Sequence, residues 1–310
     1  MARVHPFQLL TKRNLRAAEI KKLVAGVLSA ARSEPRHRSA RERDALITAI
    51  RYGHFEIARS LLSEGVDSNV PDAKGRTALW YAANYAGQGS FVRELVRGGA
   101  RLPSDVLMGP VDDGDVKTVR FLIRRGANVN CLATFTRYSY KFPPKEVLLT
   151  VAIQNISTLE IAERTALKIR AAMTPKWRAA HKPISRNGDL ESIPIMLIGA
   201  GANVNRLAFE YSLYEGFIRT TLGLAAHWGL VRTVKAMLAA GADVDQKDTW
   251  GGTALFDAAH EGHRQVAKVL LAAGARVDIK RRDQATPVSI ARERGFPDLA
   301  YEMENYTRRG

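Results

Sequence analysis

The chain has 310 residues, of which 46% are hydrophobic and 25% are charged, and its formal net charge at pH 7 is +16. This composition is typical of a globular protein, and the excess of positive charge favours an acidic partner. Cys131 is the only cysteine, which excludes a disulfide within the chain and leads us to expect a cytoplasmic location, or a nuclear one in a eukaryote. No apolar run is long enough to span a bilayer.

Residues 1–43 form a basic arm with 11 basic and 3 acidic side chains. Apolar residues at helical spacing predict a helix over residues 14–31. We expect this helix to cap the region that follows, and the alternative is a basic amphipathic helix that docks on membrane lipid or nucleic acid. Residues 33–43 are rich in arginine, and we predict a solvated linker there.

A repeated sequence occupies most of the remaining chain. Residues 252–259 read Gly-Thr-Ala-Leu-Phe-Asp-Ala-Ala, and residues 76–83 read Arg-Thr-Ala-Leu-Trp-Tyr-Ala-Ala. Each is followed by an apolar helical segment that ends at a glycine and a small residue. Such a unit buries its apolar face only against its neighbours. The glycines that close these units are Gly65, Gly99, Gly126, Gly201, Gly241 and Gly274. Successive closing glycines are 27 to 40 residues apart, except for one interval of 75 residues.

The physics of one unit follows from its residues. Thr77, Thr253 and Thr286 are suited to N-cap a first helix, and Pro287 suits the first helical position. Paired alanines keep that helix slim, so neighbouring units can approach closely. A second helix with apolar residues at helical spacing ends at the glycine, which can adopt a left-handed conformation. The sequence therefore predicts helix, turn, helix and a hairpin connection in each unit.

These residues resemble the ankyrin repeat. The most similar segments run from Asp248 through Gly262-His263 to Asp278, and from Asp72 onward. The resemblance implies an all-α repeat solenoid with short β-hairpin fingers, about seven to eight units and a divergent middle. The interval of 75 residues is either two degenerate units or one unit with an insertion. We place the units at 44–70, 71–103, 104–130, 131–173, 174–205, 206–245, 246–278 and 279–300, followed by a C-terminal tail over 301–310.

The middle of the chain is basic and contains two lengthened connections. Residues 131–187 carry 10 basic and 3 acidic side chains. Aromatic and polar residues alternate over 134–144 and again over 209–218, which predicts two extended β-hairpins. Their rings either pack against each other or anchor an interface with a partner. The candidates are Arg137, Tyr138, Tyr140, Lys141, Phe142, Tyr211 and Tyr214.

A second candidate surface is the concave face of the helices. In ankyrin proteins the positions around the alanine pair line this groove and vary with the ligand, and the alternative is ordinary variation on a solvent face. Three tyrosines and a tryptophan at these positions favour binding. The corresponding residues are Tyr52, Tyr81, Asn84, Tyr85, His227, Trp228, His260 and Glu261, and we add Trp250 of the neighbouring connection.

Enzymatic functions find little support in the sequence. It lacks a phosphate-binding loop, a nucleophile elbow and a dinucleotide-binding turn, so we predict no catalytic residues and no cofactor. His260 and His263 are three residues apart and flank the turn of a repeat. His227 and His260 should lie on packed helices about 8–10 Å apart, which is too far for metal bonds of about 2.1 Å. We therefore predict no metal site.

Two functional hypotheses remain. The first is a non-enzymatic protein-interaction module, monomeric by itself, that binds a partner with an acidic surface through its concave face and extended hairpins. The second is a factor that binds nucleic acid or ribonucleoprotein through the basic arm and residues 131–187, with aromatic rings available to stack on bases.

Overall fold

The computed structural model describes residues 17–33, 35–84, 89–133, 146–147, 149–150, 152–153, 191–209 and 218–307. The chain forms two compact units, one from Met1 to Asn128 and the other from Val129 to Gly310. Among the described residues, no helix is both long enough and apolar enough to cross a membrane.

The first compact unit is helical in its described part. Consecutive helices pack in pairs, as in the predicted repeat, and a short 3-10 turn at Pro35–His37 links the first two. The helices are α1 (Ala17–Arg32), α2 (Arg38–Arg51), α3 (Phe55–Ser63), α4 (Ala78–Ala83), α5 (Gly89–Arg97), α6 (Met108–Asp112) and α7 (Val116–Arg124).

The second compact unit contains helices and two small antiparallel sheets. Strand β1 (Leu132–Ala133) pairs with β2 (Glu146–Val147), and β3 (Leu207–Phe209) pairs with β4 (Ile218–Thr220). Residues 149–150 and 152–153 are helical. The remaining helices are α8 (Ser192–Gly199), α9 (Thr221–His227), α10 (Val231–Ala239), α11 (Ala254–Glu261), α12 (Arg264–Ala272), α13 (Pro287–Glu293) and α14 (Pro297–Thr307).

These strands lie where the sequence predicts the two extended hairpins. Leu132 is opposite Val147, and Phe209 is opposite Ile218, so both connections begin and end in paired strands. Strand β2 also lies within 8 Å of β3, which makes the bases of the two hairpins neighbours. The aromatic residues between the strands lie outside the described residues.

The predicted caps are largely confirmed. The Thr77 hydroxyl accepts a hydrogen bond from the Trp80 amide, and Thr286 forms a capping box with Ser289 ahead of Pro287. Thr253 also occupies an N-cap position, but its side chain makes no capping bond and its hydroxyl is buried without a partner. The six glycines that close the second helices all have φ between 84° and 93°, which is the left-handed region that favours glycine.

Packing follows the predicted division into slim first helices and apolar second helices. Within the first compact unit α2, α4 and α6 lie side by side, and within the second α9, α11 and α13 do so. We call these the inner helices. Their alanine pairs, at 82–83, 225–226 and 258–259, are at most 2% exposed. Because an alanine adds so little bulk, neighbouring inner helices come close enough to exclude water.

Asparagine side chains connect the hairpin of one repeat to that of the next. Asn69 Nδ2 donates to Gly99 O (3.4 Å) while its Oδ1 accepts from the Arg101 amide (2.7 Å). Asn205 makes the same pair of bonds, to Gly241 O (3.1 Å) and from the Asp243 amide (2.8 Å). Each of these asparagines lies at the end of one repeat and bonds to the end of the following repeat.

The same pair of bonds joins Asn130 to the hairpin end that follows Gly201. Asn130 Nδ2 donates to Gly201 O (3.0 Å), and Asn130 Oδ1 accepts from the Asn203 amide (2.8 Å). The hairpin ends at Asn130 and Gly201 are therefore bonded to each other directly, as the ends of consecutive repeats are elsewhere in the chain. Residues 154–190 lie outside the described residues, so the division into units 131–173 and 174–205 stays a prediction, and α8 lies within the second of these units.

The terminal segments agree with prediction only in part. Helix α1 confirms the predicted helix over 14–31 to within a few residues, and it buries Val24, Val27 and Leu28. The predicted linker is wrong from residue 38 onward, because α2 begins there and is supported by an Arg38–Glu42 ion pair of 2.9 Å. The predicted tail over 301–310 is helical to Thr307, since α14 buries Met303 completely.

Candidate functional site

The inner helices of the second compact unit end in a row of polar side chains. Each of these helices is followed by a glycine with positive φ, namely Gly229, Gly262 and Gly295. The row residues lie one and two positions before that glycine, which places them at equivalent points of neighbouring helices. We call this set the inner row: His227, Trp228, His260, Glu261 and Arg294.

Direct contacts join the row across three helices. Glu261 Oε1 lies 2.6 Å from His260 Nδ1 and 3.5 Å from His227 Nδ1. On the other side of His260, its Nε2 accepts a hydrogen bond of 2.9 Å from Arg294 Nε. Since the arginine can only donate, the ring proton of His260 lies on Nδ1 and points to the carboxylate. The row is therefore held in register by its own hydrogen bonds.

Burial sets the charge of His227. Its side chain is only 19% exposed, and its backbone carbonyl accepts a hydrogen bond from His263 Nε2 (2.9 Å). This burial, together with the positive charge of Arg219, lowers the pKa of His227 to about 4, although Glu261 acts in the opposite direction. His227 is consequently neutral at pH 7.

Glu261 supplies the negative charge of the row. Burial by itself would raise its pKa, but the hydrogen bond from His260 and the charges of nearby histidines and Arg294 outweigh burial and lower it. A carboxylate thus faces a guanidinium across one imidazole ring at neutral pH. The two histidines approach this carboxylate from either side, yet within the described ranges no group of three or more histidine, cysteine or acidic residues could hold a metal ion.

Aromatic residues extend the surface from the inner row to the hairpin connection. The ring of Trp228 meets His227 edge to face at 4.9 Å. The Phe256 ring stacks on His260 at 6.5 Å, and the guanidinium of Arg281 lies 4.6 Å from Phe256 and 5.4 Å from Trp250. Trp250 is 39% exposed, so the indole predicted from the sequence is available at the surface.

In the first compact unit, the residues predicted for the concave face differ from one another in exposure. Tyr52 is 56% exposed, and Asn84 is half-buried with its side chain donating to the Trp80 carbonyl. Tyr81 is only 5% exposed, and its hydroxyl donates to Asp72 Oδ2 (2.7 Å). Burial and this bond raise the pKa of Tyr81. The structure therefore assigns Tyr81 to the core that closes the hairpin and removes it from the exposed surface.

Eight of the predicted residues lie outside the described part of the chain. Conversely, the contacts reveal two arginines that the sequence did not single out, Arg281 and Arg294. Arg294 could have been found by counting back one residue from the glycine after each inner helix. Nearby residues do not mark Arg281, because its guanidinium contacts aromatic rings of another repeat. The eight undescribed residues are Tyr85, Arg137, Tyr138, Tyr140, Lys141, Phe142, Tyr211 and Tyr214.

Comparison with known proteins agrees with the repeat architecture. A family model described as "Ankyrin repeats (3 copies)" matches residues 15–105 and 177–298. The first match begins before α1 and so includes the helix predicted as a cap. No curated protein matches the chain. The family model covers more than half of the sequence, and its spacing agrees with the paired helices and glycine caps described above. The chain belongs to the ankyrin-repeat family.

Proposed function

We propose that this protein is a non-enzymatic interaction module that binds another protein through the inner row and Trp250. Ankyrin repeats are generally protein–protein interaction modules. A repeat of paired helices supplies a stiff surface and no enclosed reaction centre. The proposal therefore assigns recognition to the side chains that vary between repeats, and stability to the alanines, glycines and capping threonines that do not.

The observation that carries the proposal is the mutual bonding of the inner row. His260 is fixed between Glu261 (2.6 Å) and Arg294 (2.9 Å), so three long or rotatable side chains already have their positions before a partner arrives. A preorganised polar surface loses less conformational entropy on binding than a mobile one. The exposed ring of Trp250 adds apolar area that anchors an interface, whereas Trp228 is half-buried with its indole nitrogen enclosed.

We propose a partner with an acidic surface. The chain has a net charge of +16, and the exposed Arg294 belongs to the inner row, whereas Arg281 beside Trp250 is paired with Asp283 at 3.0 Å. The positive charge of the chain increases the association rate with an acidic partner and disfavours basic ones. The protein itself is proposed to be a monomer. Cys131 is buried, which fits the reducing compartment expected for a chain with a single cysteine.

Affinity purification from the native host tests the proposal. The bait is the full chain, and the test variant is Trp250→Ala combined with Arg294→Ala. The matched control is Lys235→Glu, which changes an exposed residue of α10 away from the inner row. We expect mass spectrometry to identify proteins that the wild type and the control retain and that the double variant loses. If the double variant retains the same proteins as the wild type, the inner row is not the binding surface.

A nuclease step separates the nucleic-acid hypothesis from the proposed one. Part of the charge of the basic arm is already used within the fold, because Arg38 pairs with Glu42 and Arg43 pairs with Asp44 at 2.7 Å and donates to the Pro71 carbonyl. Residues 131–187 lie almost entirely outside the described part of the chain. Loss of the captured proteins after nuclease treatment would favour the nucleic-acid hypothesis, whereas unchanged capture supports direct binding to protein.

A further inference from the structure

The outer side of helix α7 carries basic residues with no acidic partner. Lys117, Arg120 and Arg124 are exposed on α7, and Arg125 is exposed at its C-cap. Among the residues that the structure describes, none of these four forms an ion pair with a carboxylate. Arg120 and Arg124 are also four residues apart, a spacing at which like charges destabilise a helix. These like charges therefore carry a local electrostatic cost that no carboxylate among the described residues relieves.

An aromatic ring lies at the centre of this charge. The guanidinium of Arg97, from the neighbouring helix α5, lies 5.5 Å from the Phe121 ring centroid, and that of Arg125 lies 5.4 Å from it. Both arginines are exposed, and Phe121 is half-buried. Two helices thus contribute guanidinium groups to one ring. We call Arg97, Arg120, Arg124 and Arg125, together with Phe121, the arginine surface.

Two other pairs of neighbouring second helices are joined by a bond between an arginine and a glutamate. Arg59 of α3 donates through Nε to both carboxylate oxygens of Glu94 of α5, at 3.0 Å each. Glu302 of α14 likewise receives Arg264 of α12. Glu94 lies five residues before Gly99, and the residue five before Gly126 in the next repeat is Phe121. The helix α7 therefore has a phenylalanine where α5 has the carboxylate.

We propose that the arginine surface binds an acidic segment of a partner protein, whose carboxylates contact its arginines as Glu94 contacts Arg59 between α3 and α5. Arginine forks match carboxylates in a two-bond geometry, and Arg59 with Glu94 shows that geometry in this fold. This inference rests on the proposed function only in taking the partner to be a protein. It involves second helices of the first compact unit, whereas the inner row lies on first helices of the second.

Nucleic acid suits this surface less well than an acidic protein segment. Proteins that bind single strands without sequence preference stack bases on exposed aromatic rings. Phe121 is half-buried and guanidinium groups already lie over it, so it offers no open ring for a base. The surface offers charged N–H groups around an apolar centre, which is the arrangement that an acidic helix with a few apolar residues would complement.

Fluorescence anisotropy of a labelled peptide tests the inference. The probe is an alanine-rich helical peptide with glutamates three and four residues apart, and the protein is the full chain. Arg120→Glu combined with Arg124→Glu is expected to weaken binding about tenfold or more at about 150 mM salt, because it replaces two attractions with repulsions. The matched control is Lys235→Glu with Lys247→Glu, which makes the same charge change at exposed residues of the second compact unit. We expect that control to change the affinity by less than about twofold.

A second pair of variants tests the assigned position itself. Phe121→Glu places a carboxylate at the position that Glu94 occupies in α5, so this carboxylate should pair with the nearby arginines. Phe121→Gln removes the ring without adding a charge. We therefore expect Phe121→Glu to weaken peptide binding about fivefold more than Phe121→Gln does. Equal weakening by the two Phe121 variants, or by the α7 and control double variants, would overturn the inference. It would also fail if the α7 variant lost affinity for a single-stranded DNA of equal charge as strongly as for the peptide. These outcomes do not depend on the inner row, so they leave the proposed function to its own test.

Discussion

Gly109→Ala tests how closely the inner helices of the first compact unit approach. Gly109 lies in α6, and a Cβ atom added there would be 1.8 Å from the Ala83 carbonyl oxygen and 2.6 Å from the Ala83 carbonyl carbon. Both are backbone atoms of α4, so no side chain can rotate to make room. The helices would have to separate, and the buried contacts between them would weaken.

The size of the effect follows from two opposed contributions. Overpacking of a well-packed core costs about 1–3 kcal/mol, and a clash with backbone belongs at the upper end of that range. Alanine in place of glycine in a helix returns about 1 kcal/mol. We expect Gly109→Ala to lower the free energy of unfolding by about 2 kcal/mol. Gly26→Ala is the matched control in α1, because its added Cβ would meet nothing within 4 Å and should stabilise the helix.

Urea denaturation followed by far-UV circular dichroism measures both variants, and hydrogen exchange at α4 and α6 assigns the change to the first compact unit. The two substitutions are chemically identical, so opposite signs would isolate the effect of the close approach. If Gly109→Ala instead unfolds within about 0.5 kcal/mol of the wild type, α6 does not approach the α4 backbone as described.

Three further predictions concern single side chains. Thr220→Val removes a capping bond of 2.9 Å to the amide three residues on and should cost about 1 kcal/mol in urea denaturation, whereas Thr253→Val removes a buried hydroxyl without a partner and should leave stability unchanged or higher. His227 has a lowered pKa of about 4, so the unfolded chain takes up its proton first, and stability should fall as the pH drops from about 6.5 to about 4. Thermal unfolding of His227→Gln should be less sensitive to pH over that range, and an equal slope would contradict the assignment. Asn205→Ala removes both bonds to the next repeat and should cost about 1–2 kcal/mol, measurable as a lower urea midpoint.

Local features of the repeat could be predicted because they depend on nearby residues. The glycine caps, the threonine N-caps and the slim alanine helices follow from backbone conformation and side-chain size within one unit. The start of α2 could not, since the linker over 33–43 has polar composition and its helix is favoured by ion pairs such as Arg38–Glu42. The contact between the hairpin ends at Asn130 and Gly201 was also beyond local patterns, because its bonds join residues more than seventy positions apart.

The candidate site was predictable in position but not in its contacts. Counting from the Ala-Ala pair placed His227, His260 and Glu261 on one surface, and the structure joins them. The same counting placed Tyr81 there, but its ring is long enough to reach Asp72 and become buried. Arg294 was missed because its repeat has no second alanine to mark the position. The length of the side chain decides whether Tyr81 is exposed, and contacts between repeats decide which residues join the inner row.

The bonds made by Asn130 fix the neighbouring hairpin ends whatever the length of chain that separates them in sequence. Loop closure becomes only slowly more costly as a connection lengthens, so a junction pinned in this way tolerates growth. The connection between β1 and β2 is thus a natural place to graft foreign peptides, or even a small folded domain. Such a chimera would keep the flanking repeats stacked and would present the inserted peptide or domain from one defined position.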